Sequence, residues 1–128
     1  MSAIGWLHAL LRGRVRGALG ALAPCLALLA GAPAPNIVQV ATGGEQSCAL
    51  DDTGQVWCWG ANWGRLGDGT ADSRLTPVHV RRVSDATAIA GGGGHSCAVR
   101  SFGRVSCWGL NSRGQFGDGT TRRRLTGC

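Results

Sequence analysis

Two stretches of this chain are copies of one another, and that constrains the fold more than any other feature. A shift of 49 residues lays Ala41–Asn62 (ATGGEQSCALDDTGQVWCWGAN) on Ala90–Asn111 (AGGGGHSCAVRSFGRVSCWGLN). Gly43/Gly92, Ser47/Ser96, Cys48/Cys97, Gly54/Gly103, Val56/Val105, Cys58/Cys107, Trp59/Trp108, Gly60/Gly109 and Asn62/Asn111 are identical. One residue is then inserted, and at an offset of 50 Gly67-Asp68-Gly69-Thr70 matches Gly117-Asp118-Gly119-Thr120, and Arg74-Leu75-Thr76 matches Arg124-Leu125-Thr126. A period of about fifty residues marks a repeat architecture, in which each unit buries its apolar face only against a neighbour.

Within each copy, short apolar runs alternate with glycine-rich turns. Strands are expected at Ile37–Ala41, Ser47–Leu50, Gln55–Trp59 and Pro77–Val80, then at Ala86–Ala90, Ser96–Val99 and Arg104–Trp108. Asp51-Asp52-Thr53-Gly54 is a turn, with glycine where a positive φ is wanted. Alternation puts Trp57 and Trp59 on one face and Val56 and Cys58 on the other, so both faces of the sheet need cover. Stacked sheets supply it. The expected fold is all-β: two consecutive four-stranded antiparallel blades of a β-propeller, about 36–80 and 86–128, the second truncated.

Residues 1–35 read differently. Three arginines precede Gly17–Ala32, sixteen residues without a charge, and the small residues Ala30-Gly31-Ala32 follow. This is the order of a secretory signal peptide. Sixteen helical residues cover about 24 Å, short of a hydrocarbon core of about 30 Å. An apolar helical leader that serves as an export signal is therefore expected, ahead of a leader without an export role or a membrane anchor. Of the +6 formal charge, the part beyond the leader is +3 and sits mainly in Arg122, Arg123 and Arg124. A basic tail without a reading motif does not make a nucleic-acid binder.

Gly94-His95-Ser96-Cys97-Ala98-Val99, Gly103-Arg104-Val105-Ser106-Cys107-Trp108-Gly109-Leu110-Asn111 and Gly114-Gln115-Phe116-Gly117-Asp118-Gly119-Thr120 together resemble the regulator of chromosome condensation repeat. The resemblance covers about Ile37 to Thr126, and the cysteine-bearing form resembles exported bacterial members. Kelch repeats share the period, but their hallmark tyrosine is absent from this chain. The resemblance implies a propeller that acts through its loops. Propellers close with roughly four to eight blades, and this sequence supplies fewer than two.

The cysteines recur as Cys48-x9-Cys58 and Cys97-x9-Cys107. Folding each hairpin about its turn opposes the two, with Cα atoms about 4.5 Å apart, inside the disulfide range. Intrablade disulfides are expected. Reduced core thiols and a zinc site are the alternatives, the latter without the short C-x2–4-C clip such sites use. Cys25 would leave with a signal peptide, leaving Cys128 unpaired.

No catalytic constellation emerges. Lysine is absent, which removes Schiff-base chemistry and a Walker-type phosphate loop. His95-Ser96-Cys97-Ala98 looks superficially like a nucleophile elbow, but its copy reads Gln46-Ser47-Cys48-Ala49 and no histidine follows His95. Asp68 and Asp118 offer one carboxylate per loop, too few for calcium, and read as turn ties. Trp57, Trp59 and Trp108 read as packing residues. Trp63 has no tryptophan counterpart.

The loop positions that vary between copies, Trp63 and Arg65 against Arg113 and Gln115, are the candidate partner contacts. The expected function is that of an exported, secreted or periplasmic protein-interaction module, neither enzyme nor cofactor binder. It meets a membrane only through an uncleaved leader. The alternative is regulation of a small GTPase or chromatin, as the family's namesake implies.

Overall fold

The computed structural model describes residues 34–128; the helical leader expected over 1–35 falls almost wholly outside them. Seven strands form two antiparallel sheets. The first contains β1 (Ile37–Thr42), β2 (Gln46–Asp51), β3 (Val56–Gly60) and β4 (Arg74–His79), in that spatial order. The second contains β5 (Ala86–Gly91), β6 (His95–Arg100) and β7 (Val105–Gly109).

One detail corrects the expectation. β4 starts at Arg74 rather than Pro77, because Arg74 already pairs with Gly60 across a register shift. The second sheet has three strands, as expected of the truncated second copy. Arg124 bridges Gly109 as Arg74 bridges Gly60, and the Cys107 N–H donates to Cys128 O at 3.3 Å. Between those two contacts the segment is drawn toward the first sheet. Thr126 bridges Asp68, and the Gly127 N–H donates to Arg81 O at 3.1 Å.

Both hairpins keep one register. Cys48 opposes Cys58 and Cys97 opposes Cys107, each pair with Cα atoms 4.1 Å apart, and each pair is joined by a disulfide. The turns between them are tied differently. Asp51 Oδ1 accepts from the N–H groups of Thr53 and Gln55 and from the Thr53 hydroxyl. Arg100 stands in its place in the second copy and donates to Asp85 at 2.6 Å, with Arg104 on the other carboxylate oxygen.

The core lies between the sheets. Leu50, Val56, Cys58 and Leu66 of the first repeat meet Ala86, Ile89, Ala98 and Trp108 of the second. Trp108 is completely buried, and a Cβ built on Gly67 would stand 2.8 Å from its ring and 2.8 Å from Val80. Gly67 also sits at φ +71°, where other residues are strained. The outer face of the first sheet carries a smaller cluster of Ala49 and Trp59, with Trp57, Ile37 and Ala34 against it. The two faces divide β3 as the alternation required.

Side-chain clamps lock the sheets together. Gln39 donates through Nε2 to Ile89 O at 2.6 Å and accepts the Ile89 N–H at 2.9 Å, capping a backbone edge of β5. Gln46 donates to Gly92 O at 3.1 Å.

Trp108→Ala is expected to cost about 3–5 kcal/mol, the range for emptying a buried tryptophan site, measured by denaturant unfolding followed by circular dichroism. Replacing Cys97 and Cys107 together by alanine should cost about 2–3 kcal/mol, since the closed loop is short. The corresponding check is the unfolding midpoint of the double variant against the parent under oxidising conditions.

Candidate functional site

Each third strand leads into a loop organised by a buried asparagine. Asn62, fully buried, accepts the N–H groups of Gly64 and Leu66 on Oδ1 and donates through Nδ2 to Asp68 Oδ1 at 3.1 Å and Asp72 O at 2.8 Å. Asn111 repeats the pattern, accepting the Phe116 N–H and donating to Thr120 O and Arg122 O. In the sequence the signal for both asparagines is their identity in the two copies, at a position with no strand role.

The aspartates close the same loops. Asp68 Oδ1 accepts the Thr70 N–H and hydroxyl, both at 2.9 Å, while Arg74 Nε reaches Oδ2 at 3.1 Å. Burial pushes the Asp68 pKa up, but the hydrogen bonds from Thr70, Asn62 and Arg74 outweigh it and hold it below the usual value. Asp118 repeats the turn with Thr120 and Arg124. The Thr120 hydroxyl, then its N–H, and more weakly Arg124, draw Asp118 down to about 2.

Trp63 follows Asn62 directly and precedes Gly64, both held, so its indole is presented outward and is 64% exposed. Arg113 and Gln115, in the equivalent loop, are exposed, and Gln115 Oε1 accepts the Arg113 N–H. Arg65 differs. Its side chain is 14% exposed and donates to Glu45 at 2.8 Å beside the sheet interface. The rim therefore presents Trp63, Arg113 and Gln115, while Arg65 is engaged within the fold. Phe102, fully exposed at φ +62°, marks the opposite turn of the second hairpin.

Residues with a superficial catalytic look are spread apart. Ser96 is buried with its hydroxyl 3.9 Å from Cys48 Sγ, whereas His95, its strand neighbour, packs edge-on against Phe116. His79 contacts the Gln55 side chain and meets the Trp57 ring edge-on, and burial lowers its pKa against the opposing pull of Asp51. No cluster of three metal-ligating side chains occurs among the described residues.

Two antiparallel sheets stacked through an alternating apolar face, with glycine-aspartate-glycine-threonine loops on one rim, define consecutive blades of a repeat propeller. The chain belongs to the regulator of chromosome condensation (RCC1) repeat family, whose models match residues 53–99 and, in a second form, 37–62 and 86–115. It is 35% identical over 65 residues to mouse E3 ubiquitin-protein ligase HERC2 and 34% identical to the human protein, covering 48% of this chain and 1% of each ligase. Among solved structures, human WBSCR16 matches with a TM-score of 0.66 and 25% identity over 73% of this chain and 25% of its own. The structure of Kap60 bound to yeast RCC1 (Prp20) matches with a TM-score of 0.63 and 27% identity, over 73% of this chain and 22% of that one. The crystal structure of Prp20p from Saccharomyces cerevisiae matches with a TM-score of 0.58. This chain thus spans a quarter or less of each of these relatives.

Stability should respond to pH at two points. His79 has its folded pKa below 6.5, so the unfolded chain binds the proton first and stability falls as pH drops below 6.5. Asp118 has its folded pKa below the ordinary 3.8, so its contribution is present above that value and is lost as pH falls toward about 2. Thermal unfolding across pH 2–8 should show both declines. His79→Gln should remove the upper one and Asp118→Asn part of the lower.

Proposed function

We propose that this chain is a non-catalytic protein-interaction module of an exported protein, contacting its partner through the loops that follow β3 and β7. One observation carries the reading. The two copies share their paired cysteines, their turn glycines, one tryptophan and the loop asparagine, yet at equivalent loop positions one presents Trp63 and the other Arg113 and Gln115. An exposed tryptophan held between buried, hydrogen-bonded neighbours loses little entropy on binding and brings a large apolar area. The two disulfides support an oxidising compartment, as does the signal-like order of the first 35 residues.

A second reading, regulation of a small GTPase or binding to histones, draws on the likeness to Prp20p, whose structure is described with its binding properties to Gsp1p and histones. The disulfides count against it.

The deciding experiment is capture of partners from the native secretome by the full chain. Trp63→Ala should weaken capture about thirtyfold, corresponding to roughly 2 kcal/mol for a central aromatic contact, with unchanged circular dichroism. Phe102→Ala, on the opposite turn, should leave capture intact. Undiminished capture by Trp63→Ala would overturn the loop assignment, and accelerated guanine-nucleotide release from a small GTPase would favour the second reading.

A further inference from the structure

The interface inside the chain specifies what fits the face left open on the second sheet. On the first sheet, Leu50 and Val56 are buried by the second; their counterparts Val99 and Val105 are 41% and 61% exposed. A Cβ at Gly67 would strike Trp108, whereas one at its counterpart Gly117 meets nothing within 4 Å. Val105, Cys107 and Phe116, with Asp118, Arg124 and Cys128, line a cavity of about 300 Å³ on this face. It occupies the place that on the first sheet holds an indole.

The complementary face is on the same molecule. Ala86, Ile89, Ala98 and Trp108 fill the internal interface, and the residues at their places in the first copy are Ile37, Val40, Ala49 and Trp59. Val40 is 37% exposed. Leu125 closes over Gly64, and its counterpart Leu75 is 98% exposed with no glycine beneath it; Gly114 of the second repeat is the matching vacancy. Trp59 lies against Ala34 and Ile37. Ile37 stands at the place of Ala86, whereas Ala34 covers Trp59 from outside the repeat.

Charge points the same way. Residues 37–80 carry five acids against two arginines, whereas residues 86–128 carry one acid against six arginines. An acidic first repeat and a basic second repeat attract when stacked in sequence and repel when like meets like.

We propose that the open face of the second sheet binds the first sheet of another copy of this chain, head to tail, repeating between molecules the packing of Trp108 on Gly67. Such a contact is heterologous, so association continues past the dimer until a ring closes. It is weaker than the internal contact, because Ala88 stands at the place of Gln39 and cannot clamp the next β-edge.

Sedimentation velocity on the full chain, with Cys25→Ser and Cys128→Ser to exclude cross-linking, tests this. The mass should rise with protein concentration and fall with added salt. Val105→Arg blocks the receiving face and Leu75→Glu the docking face; both sites are exposed, so the fold should survive, as circular dichroism will check. Each variant alone should be monomeric at concentrations at least about tenfold above the parent's onset, and an equimolar mixture should give a dimer and nothing larger. Val40→Glu is the second docking-face variant and should behave as Leu75→Glu. A parent that stays monomeric, single variants that still associate, or a mixture that stays monomeric would each overturn the proposal.

Discussion

The indole of Trp108 rests against Gly67 and Val80, and the order of the molecule depends on this contact. A sheet of four or three short strands cannot bury both its faces, and here the buried face of each is made by the other. Gly67 makes the approach possible by lacking a Cβ and by tolerating φ +71°. The indole N–H finds no partner among the described residues, so what Trp108 contributes is packing rather than hydrogen bonding. The same turn carries Asp68 and Thr70, so the residue that seats the tryptophan belongs to the loop that shapes the rim.

The two copies reach one backbone by partly different chemistry. Asp51 ties the first hairpin turn through three donors, while Arg100 and Arg104 tie the second through Asp85 from the linker. Disulfides at matching positions hold both hairpins in one register. The loop positions that differ, Trp63 in one copy and Arg113 and Gln115 in the other, face solvent. Divergence there changes what can bind without changing where the loops stand.

The strands were legible because alternation and turn glycines recur twice, each copy checking the other. β4 starts earlier than expected because Arg74 pairs with Gly60 across a register shift that no local pattern reveals, and the apolar residue beside it, Leu75, faces solvent. The cysteine pairs followed from hairpin symmetry, since opposition across a tight turn is a local property. Arg65 resembled a free rim residue in the sequence. Its engagement depends on Glu45, twenty residues earlier, and on the adjacent sheet, neither of which spacing can show.

By itself the sequence determined the repeat, its strand count per copy, the facing cysteines and the two-sided apolar character of β3, because each arises from neighbours in the chain or from the period. Only the tertiary structure decided which tryptophan is enclosed. Trp59 and Trp108 sit in the same cysteine-tryptophan-glycine triplet, yet one lies on an outer face and the other between sheets. It likewise decided that Gln39 and Gln46 act as clamps and that Thr126 and Gly127 turn toward the first sheet rather than completing the second. Those outcomes depend on which surface arrives opposite, and a repeat cannot specify that until its copies are stacked.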